Sequence, residues 1–85
     1  KVALDFAEKD GNTLVIVTAD HETGGFALSG NEDDKTQNVI DPKFTTKNHT
    51  GTMVPVYSYG PGSASLGGIY DNTWIFQVMK KTLGL

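Results

Sequence analysis

Apolar positions recur along this chain with two different periods, and the change of period marks its elements. In KVALDFAEKDGN, Val2, Ala3, Phe6 and Ala7 form one stripe at helical spacing, with Asp5, Glu8 and Lys9 opposite. Lys9 in the last turn and Gly11 just beyond it are a C-terminal stop. No Ser, Thr, Asp or Asn precedes the helix to cap its start. The pattern therefore predicts a chain cut inside or just before a helix, a piece of something longer. Leu14 to Ala19 (LVIVTA) is apolar except at Thr18 and rich in β-branched residues. Such a run suits a strand covered on both faces, as in a parallel sheet. Helix, glycine turn and buried strand make an αβ unit and predict an α/β layer architecture.

Further on the pattern weakens and then recovers. Gly24 to Leu28 can make a second short strand, whereas residues 29–50 are polar and turn-rich and predict a long loop, with a short strand near Val39-Ile40. Met53 to Tyr59 alternates, and Pro55 within it predicts an edge strand. After the break at Gly60-Pro61-Gly62, DNTWIFQVMKKTLGL is the clearest helix. Asp71 or Asn72 can cap it, Ile75, Phe76, Val78, Met79 and Leu83 supply its buried side, and Lys80 and Lys81 sit at its negative end.

Composition narrows the function classes. With 85 residues the chain is at most one small domain, and a core it forms alone is marginal. Without cysteine, neither disulfides nor thiolate metal sites are available. A net charge of −3, with seven lysines, no arginine and no basic cluster, argues against nucleic-acid binding. No apolar run approaches the roughly 18 residues a membrane span requires.

Candidate chemistry lies where apolar runs end. Asp20-His21 follows LVIVTA, and α/β sheets bind ligands beyond the carboxyl ends of their strands. Carboxylate and neutral imidazole both suit Zn²⁺. Neighbouring residues point to opposite faces of a regular strand, so Asp20 and His21 share a metal only if the chain has already turned; Gly24-Gly25 permits that bend. The other histidine, His49, also precedes a strand and has a glycine, Gly51, close by. The run Glu32-Asp33-Asp34 lacks the spacing and glycine of a calcium loop and reads as a solvated acidic segment. Asn48-His49-Thr50 is formally a glycosylation sequon, but a glycan there would cover His49.

Taken together, TADHETGG (18–25) and HTGTMVPVYSYGP (49–61), in that order and followed by a terminal helix, resemble the C-terminal part of the alkaline phosphatase family. The resemblance covers the whole chain, most weakly in 29–47, and implies a three-layer α/β sandwich represented here by its C-terminal portion across residues 1–85. It implies metal-dependent phosphate monoester hydrolysis through a phosphoserine intermediate. Asp20 and His21 would bind one zinc and His49 the second, with magnesium held by ligands outside this chain. It further implies a homodimeric parent in the periplasm or cell exterior. The family's nucleophilic serine follows an aspartate; Ser29, Ser58, Ser63 and Ser65 follow Leu, Tyr, Gly and Ala, and the phosphate-binding arginine has no counterpart. The chain is thus expected to supply metal ligands and to be inactive alone. A sulfatase or phosphodiesterase of the same superfamily, and a small non-catalytic binding module, are the other readings these residues leave open.

Overall fold

Each end of the chain is closed by a helix whose stop the backbone explains. In the computed structural model, which describes residues 1–29 and 41–85, helix α1 spans Val2–Asp10 and ends at Gly11, whose N–H donates to the Ala7 carbonyl. No side chain caps its start, as expected for Lys1. Helix α2 spans Thr73–Thr82. Its N-cap position is Asn72, which makes no side-chain cap bond; the residue before it, Asp71, ties down the first turn, its Oδ1 accepting from the Thr73 N–H at 3.0 Å and the Thr73 hydroxyl at 2.8 Å. Hydrogen bonds to the Thr73 backbone and hydroxyl hold the Asp71 carboxyl below its ordinary value.

The described residues divide into two compact units, one of Lys1–Thr18 and Pro55–Leu85 and one of Ala19–Val54. In the first, strand β1 (Val15–Val17) pairs antiparallel with strand β6 (Tyr57–Tyr59), placing Val15 opposite Tyr59 and Val17 opposite Tyr57. Pro55 stays outside the ladder, where its missing N–H does no harm, and its carbonyl accepts from the Thr18 hydroxyl at 3.1 Å. A 3₁₀ turn at Ser63–Leu66 follows. Three polar groups pin it: Ser58 Oγ donates to Ser63 O, Tyr70 Oη to Leu66 O and Trp74 Nε1 to Ser65 O.

The second unit contains strands β2 (Glu22–Thr23), β3 (Phe26–Ser29), β4 (Asp41–Phe44) and β5 (His49–Thr50). Strand β3 pairs antiparallel with β4, Phe26 opposite Phe44, and β2 with β5, Thr23 opposite His49. The two phenylalanine rings lie 5.2 Å apart and tilted, a favourable cross-strand aromatic pair.

Several expectations need correction. Strand β1 is three residues long and antiparallel, with Val15 and Ile16 half-buried and Val17 exposed, not a doubly covered parallel strand. The 29–50 segment is not all loop: its end carries β4 and β5, whose partners lie earlier in the chain. The strand expected at Val39-Ile40 and the run Glu32-Asp33-Asp34 lie outside the described residues. The helix stripes are mostly open. Only Ala7 is buried in α1, with Val2 and Phe6 exposed, and only Val78 in α2, with Phe76 and Leu83 exposed. The reason is geometric: among the described residues each sheet has two strands, and an amphipathic helix buries its stripe only against another layer.

Among the glycines of the first unit, Gly60 lies against neighbouring backbone. Its φ of 102° is a conformation that side chains oppose, and a Cβ there would run into the Thr13 carbonyl oxygen. Gly60→Ala is expected to lower stability by about 1–3 kcal/mol. Gly51→Ala, at an ordinary φ with open space around it, is the control and should stay within about 0.5 kcal/mol. Urea denaturation of both variants checks the pair; equal effects would refute the steric account.

Candidate metal centre

The turn after β1 converts two sequence neighbours into a pair of converging donors. Asp20 and His21 lie outside any regular strand. The Asp20 carboxylate is split between two tasks: Oδ1 accepts the His21 backbone N–H at 3.1 Å, and Oδ2 lies 3.5 Å from His21 Nε2. The chain bends at Asp20 and His21 themselves and again at Gly24.

Strand pairing then brings in the second histidine. The register that sets Thr23 opposite His49 carries the His49 ring to the His21 ring, centroid to centroid 3.7 Å at an interplanar angle of 46°. Between them stands the Thr23 hydroxyl, 3.2 Å from His21 Nδ1 and 3.0 Å from His49 Nδ1. His21 Nδ1 is also 3.2 Å from the Glu22 carbonyl. All three candidate ligands are exposed residues on one open face of this unit.

Glu22 builds the frame. Its Oε1 accepts the Phe26 N–H and its Oε2 the Gly25 N–H, both at 3.1 Å, while the Thr50 hydroxyl donates to Oε2. One carboxylate thus clamps the glycine turn on its own segment to strand β5. Those bonds, the Thr50 hydroxyl first, hold the Glu22 carboxyl below its ordinary value of 4.5. Gly24 completes the junction: its N–H donates to Asn48 O, and its carbonyl accepts from the Thr45 and Thr46 N–H groups. At φ 96° a Cβ on Gly24 would come within 2.6 Å of the Phe44 ring. Glycine is required here on both counts.

The donor set fits zinc. Two ligand atoms on one tetrahedral zinc at about 2.0–2.2 Å lie about 3.3–3.5 Å apart. Asp20 Oδ2 and His21 Nε2 already have that separation. His49 lies against the His21 ring, not in that pair, and among the described residues no three His, Asp or Glu groups converge on one metal position. What the unit presents is two donors for one ion and an adjacent imidazole. The sequence reading missed Glu22 and Thr23. A local signal for the first existed: an acid three and four residues before the Gly25 and Phe26 N–H groups has the spacing of a turn-capping side chain.

Comparison with known proteins follows the same lines. The alkaline phosphatase family model matches residues 1–44 and 31–85. Alkaline phosphatase of Escherichia coli strain K12 is 37% identical over 97 aligned residues, covering 98% of this chain and 21% of that protein. Streptomycin-6-phosphate phosphatase of Streptomyces griseus is 35% identical, covering 98% of the chain and 22% of its own length. Among solved structures, the alkaline phosphatase of the Antarctic bacterium TAB5 superposes with a TM-score of 0.80 at 49% identity, over 96% of this chain and 25% of that one. A variant of that enzyme with Mg bound in its M3 site gives 0.77 at 48% identity. The α/β fold is therefore of the alkaline phosphatase type, and the chain spans about a fifth of the length of the curated relatives it matches.

The Glu22 clamp has a pH signature. A carboxyl lowered by folding contributes stability above its unfolded value, and that contribution is lost as pH falls through the lower folded value. The gap in urea midpoint between wild type and Glu22→Gln should be widest near neutrality and narrow only below pH 4.5. A gap that stays constant between about pH 7 and about pH 3 would rule the clamp out.

Proposed function

The chain belongs to the alkaline phosphatase family, and from that premise we propose that the protein carrying it hydrolyses phosphate monoesters, with Asp20, His21 and His49 as zinc ligands. The observation that carries the reading is the 3.5 Å approach of Asp20 Oδ2 to His21 Nε2, with His49 brought alongside by a strand pairing across 26 residues. Asp20 and His21 hold one zinc and His49 belongs to the second. Bound there, the zinc ions supply Lewis acidity that activates the attacking oxygen and stabilises the departing alkoxide.

This chain's own residues position and neutralise. Asp20 offers the one anionic donor of the three, and the bond from the His21 N–H to its Oδ1 leaves Oδ2 facing the ring. The Glu22 clamp and the β2–β5 register keep the two imidazoles at a fixed separation. Preorganisation of this kind places charge stabilisation before the reaction begins, which is where most of the catalytic effect in phosphoryl transfer arises. The nucleophilic serine, the phosphate-binding arginine and the magnesium ligands belong to the remainder of the protein, so the 85 residues alone are inactive. The names of the relatives favour phosphate monoesters over sulfate esters or phosphodiesters. By family resemblance the protein is a homodimer exported to the periplasm or cell exterior; no helix among the described residues is long and apolar enough to cross a membrane.

In the protein carrying this chain, Asp20→Ala, His21→Ala and His49→Ala should each cut p-nitrophenyl phosphate turnover by roughly 100-fold, equivalent to the few kcal/mol a metal supplies to a transition state. Bound zinc measured by atomic emission should fall in parallel. Full activity and full zinc content in the His49 variant would overturn the ligand assignment, and zinc-dependent turnover by the isolated 85 residues would overturn their dependence on the rest.

A further inference from the structure

One hydroxyl touches both imidazoles, and neither the ligand assignment nor the strand pairing requires it to. Thr23 Oγ1 lies 3.2 Å from His21 Nδ1 and 3.0 Å from His49 Nδ1. It can do so because Thr23 stands directly opposite His49 in the β2–β5 ladder and is two residues from His21 on the other side. A neutral imidazole carries one proton, and the hydrogen bond made by one ring nitrogen decides whether the other keeps its lone pair.

The protons can be followed atom by atom. The Glu22 carbonyl, 3.2 Å from His21 Nδ1, only accepts, so a hydrogen bond there requires the proton on Nδ1. That leaves the lone pair on His21 Nε2, the nitrogen that faces Asp20 Oδ2. His49 Nδ1 has no carbonyl partner of this kind among the described contacts; its partner is the Thr23 hydroxyl. A hydroxyl oxygen accepts two hydrogen bonds and donates one. If it accepts the His49 Nδ1–H and shares the His21 Nδ1–H with the Glu22 carbonyl in a three-centre bond, its own proton turns to solvent, which the exposure of Thr23 allows, and both Nε2 atoms are free as donors to metal.

The geometry points to Thr23 as a positioning residue: its hydroxyl holds His21 and His49 together by their Nδ1 atoms, fixing ring orientation and proton placement so that both Nε2 lone pairs are offered to metal. The inference rests on the zinc-ligand reading proposed above. It adds that the two metal positions share one support, so loss of a single exposed hydroxyl weakens both. Metal-ligating histidines depend on such outer partners, whose removal lowers metal affinity by roughly 10–100-fold.

The test uses Thr23→Val, which keeps the branched shape and β propensity but not the oxygen, and Thr23→Ser, which restores it. Zn²⁺ titration of the zinc-stripped protein carrying this chain should show Thr23→Val binding weaker by roughly 10–100-fold at both positions, with Thr23→Ser near wild type. Long-range ¹⁵N NMR of the zinc-stripped protein, with the rings neutral, should show the proton of His49 on Nδ1 in wild type and in Thr23→Ser, and shifted toward Nε2 in Thr23→Val. Unchanged affinity and unchanged ¹⁵N shifts in Thr23→Val would overturn the inference. So would a loss that serine does not rescue, since that would be a packing effect. If the ¹⁵N shifts move as expected while His21→Ala and His49→Ala leave zinc binding intact, Thr23 keeps its place between the rings and the ligand assignment itself fails.

Discussion

The Glu22 carboxylate is the interaction on which the candidate site depends. Three donors from two segments, the Gly25 and Phe26 N–H groups and the Thr50 hydroxyl, meet on its two oxygens. Hydrogen bonds to an ionised acceptor are among the stronger ones a protein makes. This one fixes the turn after Thr23 and anchors strand β5 together. Without it the β2–β5 pairing, two residues on each strand, would have only the Gly24 backbone bonds beside it to define its register. A slip of one position would move His49 to the other face of its strand and away from His21.

The glycines serve the same junction from the backbone side. Gly24 gives up both its N–H and its carbonyl to the segment before β5, and the Phe44 ring fills the space a side chain would need. The pair Phe26 and Phe44 is thus more than apolar cover for a hairpin. Its Phe44 ring also sits against Gly24, at the junction that follows β2. Site geometry here comes from a polar clamp, a glycine junction and one aromatic contact.

How much of this the sequence disclosed depends on how local each cause was. Both helices were legible, because apolar period and glycine stops are written within a few residues. Asp20, His21 and His49 could be singled out as candidates through residue type and position at the ends of apolar runs near glycines. Their mutual arrangement was not legible, since it follows from pairing between residues 22–23 and 49–50, and polar strands of two residues leave no periodic trace. The same applies to β4, read as loop because Asp41-Pro42-Lys43-Phe44 carries turn residues; its partner β3, not its own propensity, makes it a strand. The helix stripes misled for the opposite reason. Their pattern correctly reports apolar faces meant for burial, but burial needs a facing layer that two-stranded sheets do not provide.

Open apolar faces and open coordination positions are therefore two expressions of one fact. Phe6, Phe76 and Leu83 face outward while Asp20 and His21 offer two donors where a zinc ion takes four. On the proposed reading both deficits are met by other segments of the protein carrying this chain, which spans about a fifth of the length of the curated relatives it matches. Covering the helices would complete a layer, and the same chain segments would bring the missing ligands. Metal binding and assembly would then be linked, because an ion that binds only the completed site stabilises the completed fold. The support for that linkage is already present in the smaller unit: a clamped turn and a fixed pair of strands set the spacing of the exposed donors before any metal arrives, so the ordering cost is met in advance and the ion's binding energy goes to joining the parts.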